Sequence, residues 1–202
     1  MMRKLLLLLT SAILLASCTT EVTLTVRQDD SVDIRFEGGA GEAFTKMIAS
    51  ASGAGGDVLI DTDTVTYELA RAGFSNVKAE QKKGGAVVIG MSDNKHTSYV
   101  FSSGIVKAEK GRLSAAITRK SLEDFYKSAD EQTRMTLDLF LAPVFNDETM
   151  SEEEYLEMLA SFYGDAAAKE VSESVVKINL ISKDGTKETL RYPLAQLFCG
   201  NF

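Results

Sequence analysis

The sequence predicts an α+β fold in which a mainly antiparallel sheet, with N- and C-terminal hairpins, packs against several helices. Three observations support this prediction. Apolar and polar residues alternate near both ends of the chain, which is the period of half-buried strands. The second half of the chain carries helix-capping signals, each followed by apolar residues at helical spacing. Strand-like segments come first, helical ones next and strands again last, an order typical of α+β domains.

The N-terminal hairpin covers residues 22–36. Apolar residues alternate with polar ones on both sides of a polar turn at residues 28–31. This alternation places one face of each strand in the core. The residues expected on that face are Val22, Leu24, Val26, Val32, Ile34 and Phe36.

Two helices are expected after this hairpin. Residues 43–51 predict a short helix with three apolar side chains on one face. Asp63 predicts the N-cap of a second helix, which runs to Ala72 and ends at Gly73. Asp61 and Asp63 could instead bind calcium, but helix capping is the commoner use of aspartate at such a position.

Several strands are predicted in the middle of the chain. Residues 76–92 predict two strands around a turn at residues 83–85, where two glycines lie. Three later segments, "SYVFS", "GIVKAEK" and "RLSAAITR", are also interpreted as strands, with Gly104 and Gly111 at the bends.

Helical sequence follows these strands. Ser121 and Asp124 are interpreted as a capping box before one helix. Ser151 and Glu154 predict a second capping box, and Gly164 predicts the end of that second helix. A further short helix follows Gly164 directly. The second helix carries an apolar stripe that consists of Tyr155, Leu156, Leu159, Phe162 and Tyr163.

The closing hairpin covers residues 174–194, with a strong turn signal at Asp184 and Gly185. We expect one continuous domain over residues 21–202. In that domain the N-terminal strands share a core with the apolar stripe of the second helix.

The first 17 residues have the composition of a secretory signal. Arg3 and Lys4 supply positive charge, and a mostly apolar run from Leu5 to Ala16 follows. A helix of that length spans roughly 18 Å, whereas the hydrocarbon core of a bilayer is about 30 Å thick. The run is therefore too short for a stable membrane span, and residues 1–17 are predicted to be cleaved off.

Leu15, Ala16, Ser17 and Cys18 resemble the lipobox of bacterial lipoproteins. The resemblance implies cleavage between Ser17 and Cys18 and attachment of diacylglycerol to the Cys18 thiol. Two or more acyl chains hold a protein stably at a membrane, because each buried methylene contributes about 0.8 kcal/mol. Residues 18–20 are then a short lipidated tether that keeps the domain close to the bilayer surface. An ordinary secretory signal with a chance cysteine is the alternative.

The residue after the cysteine bears on the destination of such a lipoprotein. Thr19 stands where some lipoproteins carry a sorting aspartate or lysine. The resemblance therefore implies a protein anchored by lipid in the cell envelope. It implies the outer membrane if the cell has two membranes, and otherwise the outer face of the plasma membrane.

The mature chain also resembles the LppM-type domain of mycobacterial lipoproteins. The shared features are the lipidated cysteine, the immediate hairpin containing "DDSVDIRF", and the helix–glycine–strand segment "LARAGFSNVKAE". This resemblance implies binding or trafficking of envelope lipids or glycolipids, although the C-terminal membrane span of that family is missing here. Residues 137–164 are similar to uncharacterised lipoproteins of spirochaetes, which implies no function.

The charge of the mature chain argues against a nucleic-acid-binding protein. Without Arg3 and Lys4 the chain has 20 basic and 29 acidic residues, a formal charge of −9. Nucleic-acid-binding domains need a basic surface, which this composition does not supply. The expected partners are the membrane, through the N-terminal lipid, and an envelope lipid, glycan or protein.

The sequence contains no recognisable pattern of a catalytic site, a metal centre or a cofactor-binding loop. His96 is the sole histidine and is interpreted as an exposed loop residue rather than a catalytic base. Once Cys18 is lipidated, Cys199 is the remaining thiol, most simply a small buried hydrophobe. An intermolecular disulfide is the alternative for Cys199. We therefore expect no enzymatic activity, no metal and no cofactor.

The most apolar segment of the mature chain is residues 139–145. A core helix is the simpler interpretation of this segment. A hydrophobic groove for a ligand is the alternative. The candidate groove residues are Leu137, Leu139, Phe140, Leu141 and Val144.

These observations favour a lipid-anchored envelope lipoprotein whose domain binds a ligand or supports assembly near the membrane surface, without catalysis. Two alternatives stay open. One is an envelope hydrolase without a recognisable motif, and the other is a purely structural or surface-antigen lipoprotein.

Overall fold

The structure is a computed structural model that describes residues 19–39, 41–43, 45–46, 61–82, 86–128, 131, 134, 137–138, 141 and 150–200. Within these residues the fold is α+β with a mostly antiparallel sheet, as the sequence predicts. Its strands are β1 (Thr19–Val26), β2 (Val32–Gly38), β3 (Ser75–Gln81), β4 (Val87–Asp93), β5 (Val106–Glu109), β6 (Arg112–Ala115), β7 (Val175–Ile181) and β8 (Lys187–Pro193).

Six strands form the main sheet, in the order β3-β4-β2-β1-β7-β8, and β5 pairs with β6 in a separate hairpin. The predicted hairpins β1–β2, β3–β4 and β7–β8 are confirmed as antiparallel pairs. The strands predicted on either side of Gly111, β5 and β6, also pair antiparallel. The predicted turn at residues 83–85 lies outside the described residues. β1 and β7 pair in parallel, with Thr19 opposite Val175, and this pairing joins the two terminal hairpins into one sheet.

The register of the central strands places apolar side chains in rows across one face. Leu24 lies opposite Ile34 and Leu180, and Ile34 lies opposite Met91. All four are at most 7% exposed and belong to the hydrophobic core. Each such side chain contributes about 1.5–3 kcal/mol when it is fully buried. The predicted core-facing pattern is confirmed, except that Val22 is only partly buried.

The helices are α1 (Thr62–Arg71), α2 (Tyr99–Ser102), α3 (Arg119–Ser128), α4 (Glu152–Tyr163), α5 (Asp165–Glu173) and α6 (Leu194–Cys199). Backbone at residues 42–43, 45–46, 131, 134, 137–138 and 141 is also helical. The predicted apolar face of the helix at residues 43–51 lies outside the described residues, because it rests on Phe44, Met47 and Ile48.

The cap of α1 differs from the prediction. Asp61, not Asp63, is the N-cap, and its Oδ1 accepts hydrogen bonds from the amides of Asp63 and Thr64, both at 3.1 Å. A capping side chain must bond to amides two and three residues ahead, and Asp61 has those unpaired amides in front of it. The predicted stop is confirmed, since Gly73 follows the helix with a φ of 97°.

The cap of α3 also lies earlier than predicted. Ser121 accepts a hydrogen bond from the amide of Thr118 at 2.9 Å, and its own amide donates to Thr118 Oγ1 at 3.2 Å. This reciprocal pair replaces the predicted box of Ser121 with Asp124. Asp124 instead forms an ion pair with Lys120 at 2.9 Å. Thr118 and Ser121 are three residues apart, as are Ser121 and Asp124, so the sequence allows either pair to cap the helix. The structure uses the earlier pair.

The segment "SYVFS" is a short helix, α2, and the prediction of a strand there is wrong. The amide of its first residue, Ser98, donates to the buried Asp93 carboxylate at 2.9 Å. This contact ties the start of the helix back to the end of β4, across the loop at residues 94–98. Periodicity over so few residues does not distinguish a strand from one turn of helix.

The predicted capping box of α4 is confirmed, with Ser151 and Glu154 bonding reciprocally. Its apolar stripe is buried only in part. Tyr155 and Leu159 are fully buried, where Tyr155 lies edge-on to Phe198 of α6. The prediction that Phe162 faces the core is wrong, because its side chain is 75% exposed in the last turn of the helix.

The tether is shorter than the sequence predicts. β1 begins at Thr19, so Thr19 and Thr20 are the first residues of a strand and not a linker. Their pairing with Val175 and Val176 of β7 supplies the hydrogen bonds that order them. Within the described ranges, no helix has the length and apolarity that crossing a membrane requires.

Candidate binding cleft

Three strands of the main sheet finish at the same end. β1 is parallel to β7 and antiparallel to β2, and β4 is also antiparallel to β2. The segments that follow β1, β4 and β7 therefore meet at one end of the sheet. Because β1 has eight residues, this end lies about 25 Å from Thr19, at a rise of about 3.3 Å per residue. We call it the distal end.

Asp30 has a left-handed backbone in the β1–β2 turn, with a φ of 66°. The Asp30 amide donates to the Arg27 carbonyl at 3.1 Å, and the Arg27 amide donates to the Ser31 carbonyl at 2.8 Å. These bonds define a three-residue hairpin loop whose last position is left-handed. Glycine is the residue that adopts this conformation most easily, and aspartate tolerates it better than most others.

The β7–β8 turn has the same loop geometry. The Gly185 amide donates to the Ser182 carbonyl, and the Ser182 amide donates to the Thr186 carbonyl, both at 2.9 Å. Here the left-handed position is Gly185, with a φ of 84°. Two matching turns at the distal end therefore differ at their most constrained position, which is glycine in one and Asp30 in the other.

The β5–β6 hairpin packs against the β7–β8 turn. Its two-residue turn consists of Lys110 and Gly111, with φ values of 52° and 76°. Such a pair is typical of a type I′ hairpin turn. The Lys183 amide donates to the Gly111 carbonyl at 2.8 Å. A Cβ on Gly111 would lie 3.0 Å from Lys183 Cβ, so a larger residue there would push the Lys183 side chain away.

Asp93 fixes the loop that follows β4. Its carboxylate accepts hydrogen bonds from the amides of Lys95 at 3.1 Å, Thr97 at 3.3 Å and Ser98 at 2.9 Å. Burial favours the neutral acid, but these hydrogen bonds, the strongest of them from Ser98, outweigh it and hold the Asp93 pKa below its ordinary value. The ionised carboxylate therefore orders the loop at neutral pH.

This ordered loop presents His96 to the β1–β2 turn. His96 has a φ of 52°, and its ring stacks on Phe101 of α2 with the ring centres 4.8 Å apart. His96 Nε2 lies 2.8 Å from the Asp30 carbonyl oxygen. A carbonyl only accepts hydrogen bonds, so Nε2 carries the proton in this contact.

These turns enclose a cleft of about 350 Å³ at the distal end. We call it the distal cleft, and it is lined by Val26, Asp30, His96, Ala108, Lys110, Gly111 and Lys183. Lys183 Nζ reaches across it to Asp30 Oδ1 at 2.9 Å. The volume is at the lower end of the range for small-molecule sites in proteins.

Backbone strain is concentrated at this cleft. Among the described residues, the non-glycine positions with positive φ are Asp30, Asn76, His96 and Lys110. Three of these four line the distal cleft. Strained backbone of this kind clusters at functional sites, where the surrounding structure holds it in place.

Four of the seven lining residues carry polar or ionisable side chains. They offer two ammonium groups, one imidazole and one carboxylate, and none of the seven has a hydroxyl or thiol nucleophile. In the described part of the chain, no three histidine, cysteine or acidic side chains are arranged to hold a metal ion.

The structure places the predicted site residues as follows. The candidate groove residues Leu137 and Leu141 are 2% and 4% exposed and belong to the hydrophobic core. The core-helix interpretation accounts for these two, and the groove stays a prediction. The predicted lipidation, cleavage and groove residues that lie outside the described residues are Cys18, Ser17, Leu139, Phe140 and Val144.

The two other residues singled out in the sequence lie in separate places. Cys199 is buried on α6, and its thiol is 3.6 Å from the Gln196 carbonyl oxygen. His96 is half-buried in the distal cleft, whereas the sequence indicated an exposed loop. α6 follows β8, which ends at the end of the sheet opposite the cleft, so Cys199 and His96 do not form a dyad.

The sequence analysis missed Asp30, Lys110 and Lys183 as site residues. Each lies in a hairpin turn that the sequence predicts correctly, at a position with no chemical motif around it. The sequence did carry a signal at Asp30 and Lys110, because each is a charged residue at a turn position that favours glycine.

No protein-family model, curated protein or solved structure matches this chain.

Proposed function

We propose that this protein is a lipid-anchored lipoprotein of the bacterial cell envelope whose domain binds a ligand in the distal cleft without catalysing a reaction. The lipid anchor rests on the N-terminal sequence. A basic start, an apolar run and the lipobox resemblance ending at Cys18 stand in the order that lipoprotein processing requires. Two or more acyl chains on Cys18 are enough for stable membrane attachment.

The observation that carries the binding role is the convergence of separate turns on the distal cleft. Its lining residues come from the β1–β2, β5–β6 and β7–β8 turns and from the loop after β4. Contacts at 2.8–2.9 Å connect Asp30 with His96 and Lys183, and Lys183 with Gly111. A site assembled in this way from rigid hairpins is preformed, which lowers the entropic cost of binding.

The position of the cleft favours a ligand that arrives from the aqueous side. β1 starts directly after the predicted lipid attachment site and runs to the cleft. The cleft is therefore separated from the anchored membrane by the length of the sheet. A small molecule, a glycan or an exposed segment of another envelope protein fits this position better than a lipid from the same bilayer leaflet.

The hydrolase alternative has one feature in its favour, which is the imidazole of His96 in a cleft. A hydrolase of the nucleophilic type also needs a hydroxyl or thiol within reach of that base. None of the lining residues supplies one. His96 Nε2, moreover, is already engaged by the Asp30 carbonyl.

Native mass spectrometry tests the binding role. The protein is purified in detergent from the envelope of the cells that make it, as wild type and as the double variant Lys110→Gln, Lys183→Gln. We expect a bound mass on the wild type that is lost in the double variant. The control is Lys78→Gln, an exposed lysine on β3 outside the cleft, which should retain the bound mass.

Two results would contradict the proposal. A bound mass that survives in the double variant would place the ligand outside the distal cleft. Repeated absence of any bound mass on the wild type would favour a purely structural lipoprotein.

A further inference from the structure

The distal cleft collects positive charge in an acidic protein. The whole chain has a formal charge of −7, yet Lys110 and Lys183 both line the cleft together with His96. Asp30 is the one carboxylate among the seven lining residues. Two ammonium groups therefore share a single fixed counter-charge at this site.

The two lysines differ in how they are held. Lys183 is paired with Asp30, and its stem lies against Gly111, which fixes its direction. Within the described ranges Lys110 forms no ion pair with an acidic side chain, and this exposed residue lines the same cleft. Lys110 is thus an exposed cation beside the cleft that no acidic side chain of the described residues neutralises.

The pair between Lys183 and Asp30 is easily exchanged. The Lys183 side chain is 32% exposed and that of Asp30 is 65% exposed. Exposed pairs of this kind contribute only about 0–1 kcal/mol. An anion that contacts both lysines replaces one weak ion pair by two charge-assisted contacts, which is a net gain.

We infer that the distal cleft binds a phosphate group, held by Lys110 and Lys183, with His96 at its margin and Asp30 as the counter-charge that the ligand displaces. Lysine is a common phosphate ligand because a compact point charge needs no particular angle of approach. This inference rests on the proposed binding function and names its ligand class. The phosphate can belong to a dissolved compound or to a lipid headgroup, and the chemistry of the contact is the same.

The test is calorimetric titration of the mature lipidated protein in detergent, at constant ionic strength set with chloride. Inorganic phosphate is the first ligand, and short-chain phosphatidylglycerol is the second. If inorganic phosphate binds and phosphatidylglycerol does not, the natural ligand is a dissolved phosphate compound. If phosphatidylglycerol binds more tightly than inorganic phosphate, the natural ligand is a lipid headgroup.

The variants predict changes in opposite directions. Lys110→Gln and Lys183→Gln should each weaken phosphate binding about tenfold, as loss of a charged hydrogen bond does. Asp30→Asn should tighten it about fivefold, because it removes a like charge at the rim of the site. Asparagine tolerates the left-handed backbone, so this change retains the turn. Lys78→Gln should change binding less than about twofold, since exposed charges beyond about 10 Å are screened.

A purely structural role for these residues predicts a different result, since Asp30→Asn would then weaken binding or leave it unchanged. That outcome, or failure of both phosphate ligands to bind the wild type, overturns the inference. A bound mass seen by native mass spectrometry together with failed phosphate titrations would leave the binding function in place and exclude only the phosphate.

Discussion

Asp30 occupies a turn position that favours glycine, and its contacts in the distal cleft explain why. Its turn and the β7–β8 turn have the same hydrogen bonds, and the second uses Gly185 at the equivalent position. A left-handed backbone costs an ordinary residue about 1–2 kcal/mol. At Asp30 that cost is offset by a contact that glycine cannot make, because the Asp30 carboxylate accepts a hydrogen bond from Lys183. The carbonyl of the same residue holds His96.

Asp93 makes the stability of the loop that carries His96 depend on pH. Its hydrogen bonds with Ser98, Lys95 and Thr97 hold the pKa of its carboxylate below the ordinary value of 3.8. A carboxylate with a lowered pKa stabilises the fold at pH values above 3.8, and the stabilisation is lost as the pH falls through the lowered pKa.

We therefore expect Asp93→Asn to reduce the free energy of unfolding at pH 7 by about 1–3 kcal/mol, since buried amides lose a charged acceptor. The difference from wild type should shrink as the pH falls below about 3.8. Denaturant unfolding of both proteins at a series of pH values measures this difference in the free energy of unfolding. The control is Asp63→Asn, an exposed acid. An equal difference at every pH would mean that the Asp93 charge is unimportant.

At the scale of elements, the distal cleft depends on how one hairpin packs on another. Gly111 and Gly185 have similar left-handed backbones, with φ values of 76° and 84°. They differ in their surroundings. A Cβ on Gly111 would lie 3.0 Å from Lys183 Cβ, whereas no atom lies within 4 Å of a Cβ on Gly185.

This contrast gives a matched pair of substitutions. Gly185→Ala should cost only the backbone strain of about 1–2 kcal/mol. Gly111→Ala should cost about 1 kcal/mol more, because the Lys183 side chain must shift to admit the new methyl group. Thermal unfolding of both variants measures the difference, and equal losses would show that the two hairpins do not depend on this contact.

The elements also show what sequence patterns can and cannot predict here. The three predicted hairpins and α4 follow from neighbouring residues, so alternation and capping residues predicted them correctly. The parallel pairing of β1 with β7 has no local signal, because the two strands lie far apart in the sequence. The distal cleft depends on that pairing and on the packing of the β5–β6 hairpin, and no local pattern shows that the turns carrying Asp30, Lys110 and Lys183 converge. Phe162 was assigned to the core because helical spacing does not show where the covering element ends.

At the scale of the whole molecule, the sheet separates the predicted anchor from the cleft. β1 starts one residue after Cys18, so little freedom remains between the lipid and the sheet. The β1–β2 turn lies at the distal end, and Arg191, which pairs with Lys177 near the start of β7, lies towards the opposite end. A lipid on Cys18 should therefore hold these two positions at different heights above the bilayer.

Fluorophores placed at Gln28→Cys and Arg191→Cys, both exposed positions, test this orientation. In vesicles with nitroxide-labelled headgroups, we expect strong quenching at position 191 and little at position 28. Cys18→Ala should abolish quenching at both positions, because the lipid is lost. Equal quenching at both positions would show that the domain lies on its side, and quenching that survives Cys18→Ala would exclude the lipid as the anchor.

The pairing of β1 with β7 also has a consequence for the time at which the chain can fold. β1 is a central strand, and one of its two neighbours is β7, which follows β1 in the chain only after β2 to β6. Until Val175 and the residues after it emerge, one edge of β1 has no strand to pair with. Pairing between such distant segments is slow, because the whole intervening chain must close into a loop first. A chain that is still growing therefore cannot complete its main sheet before β7 has been synthesised.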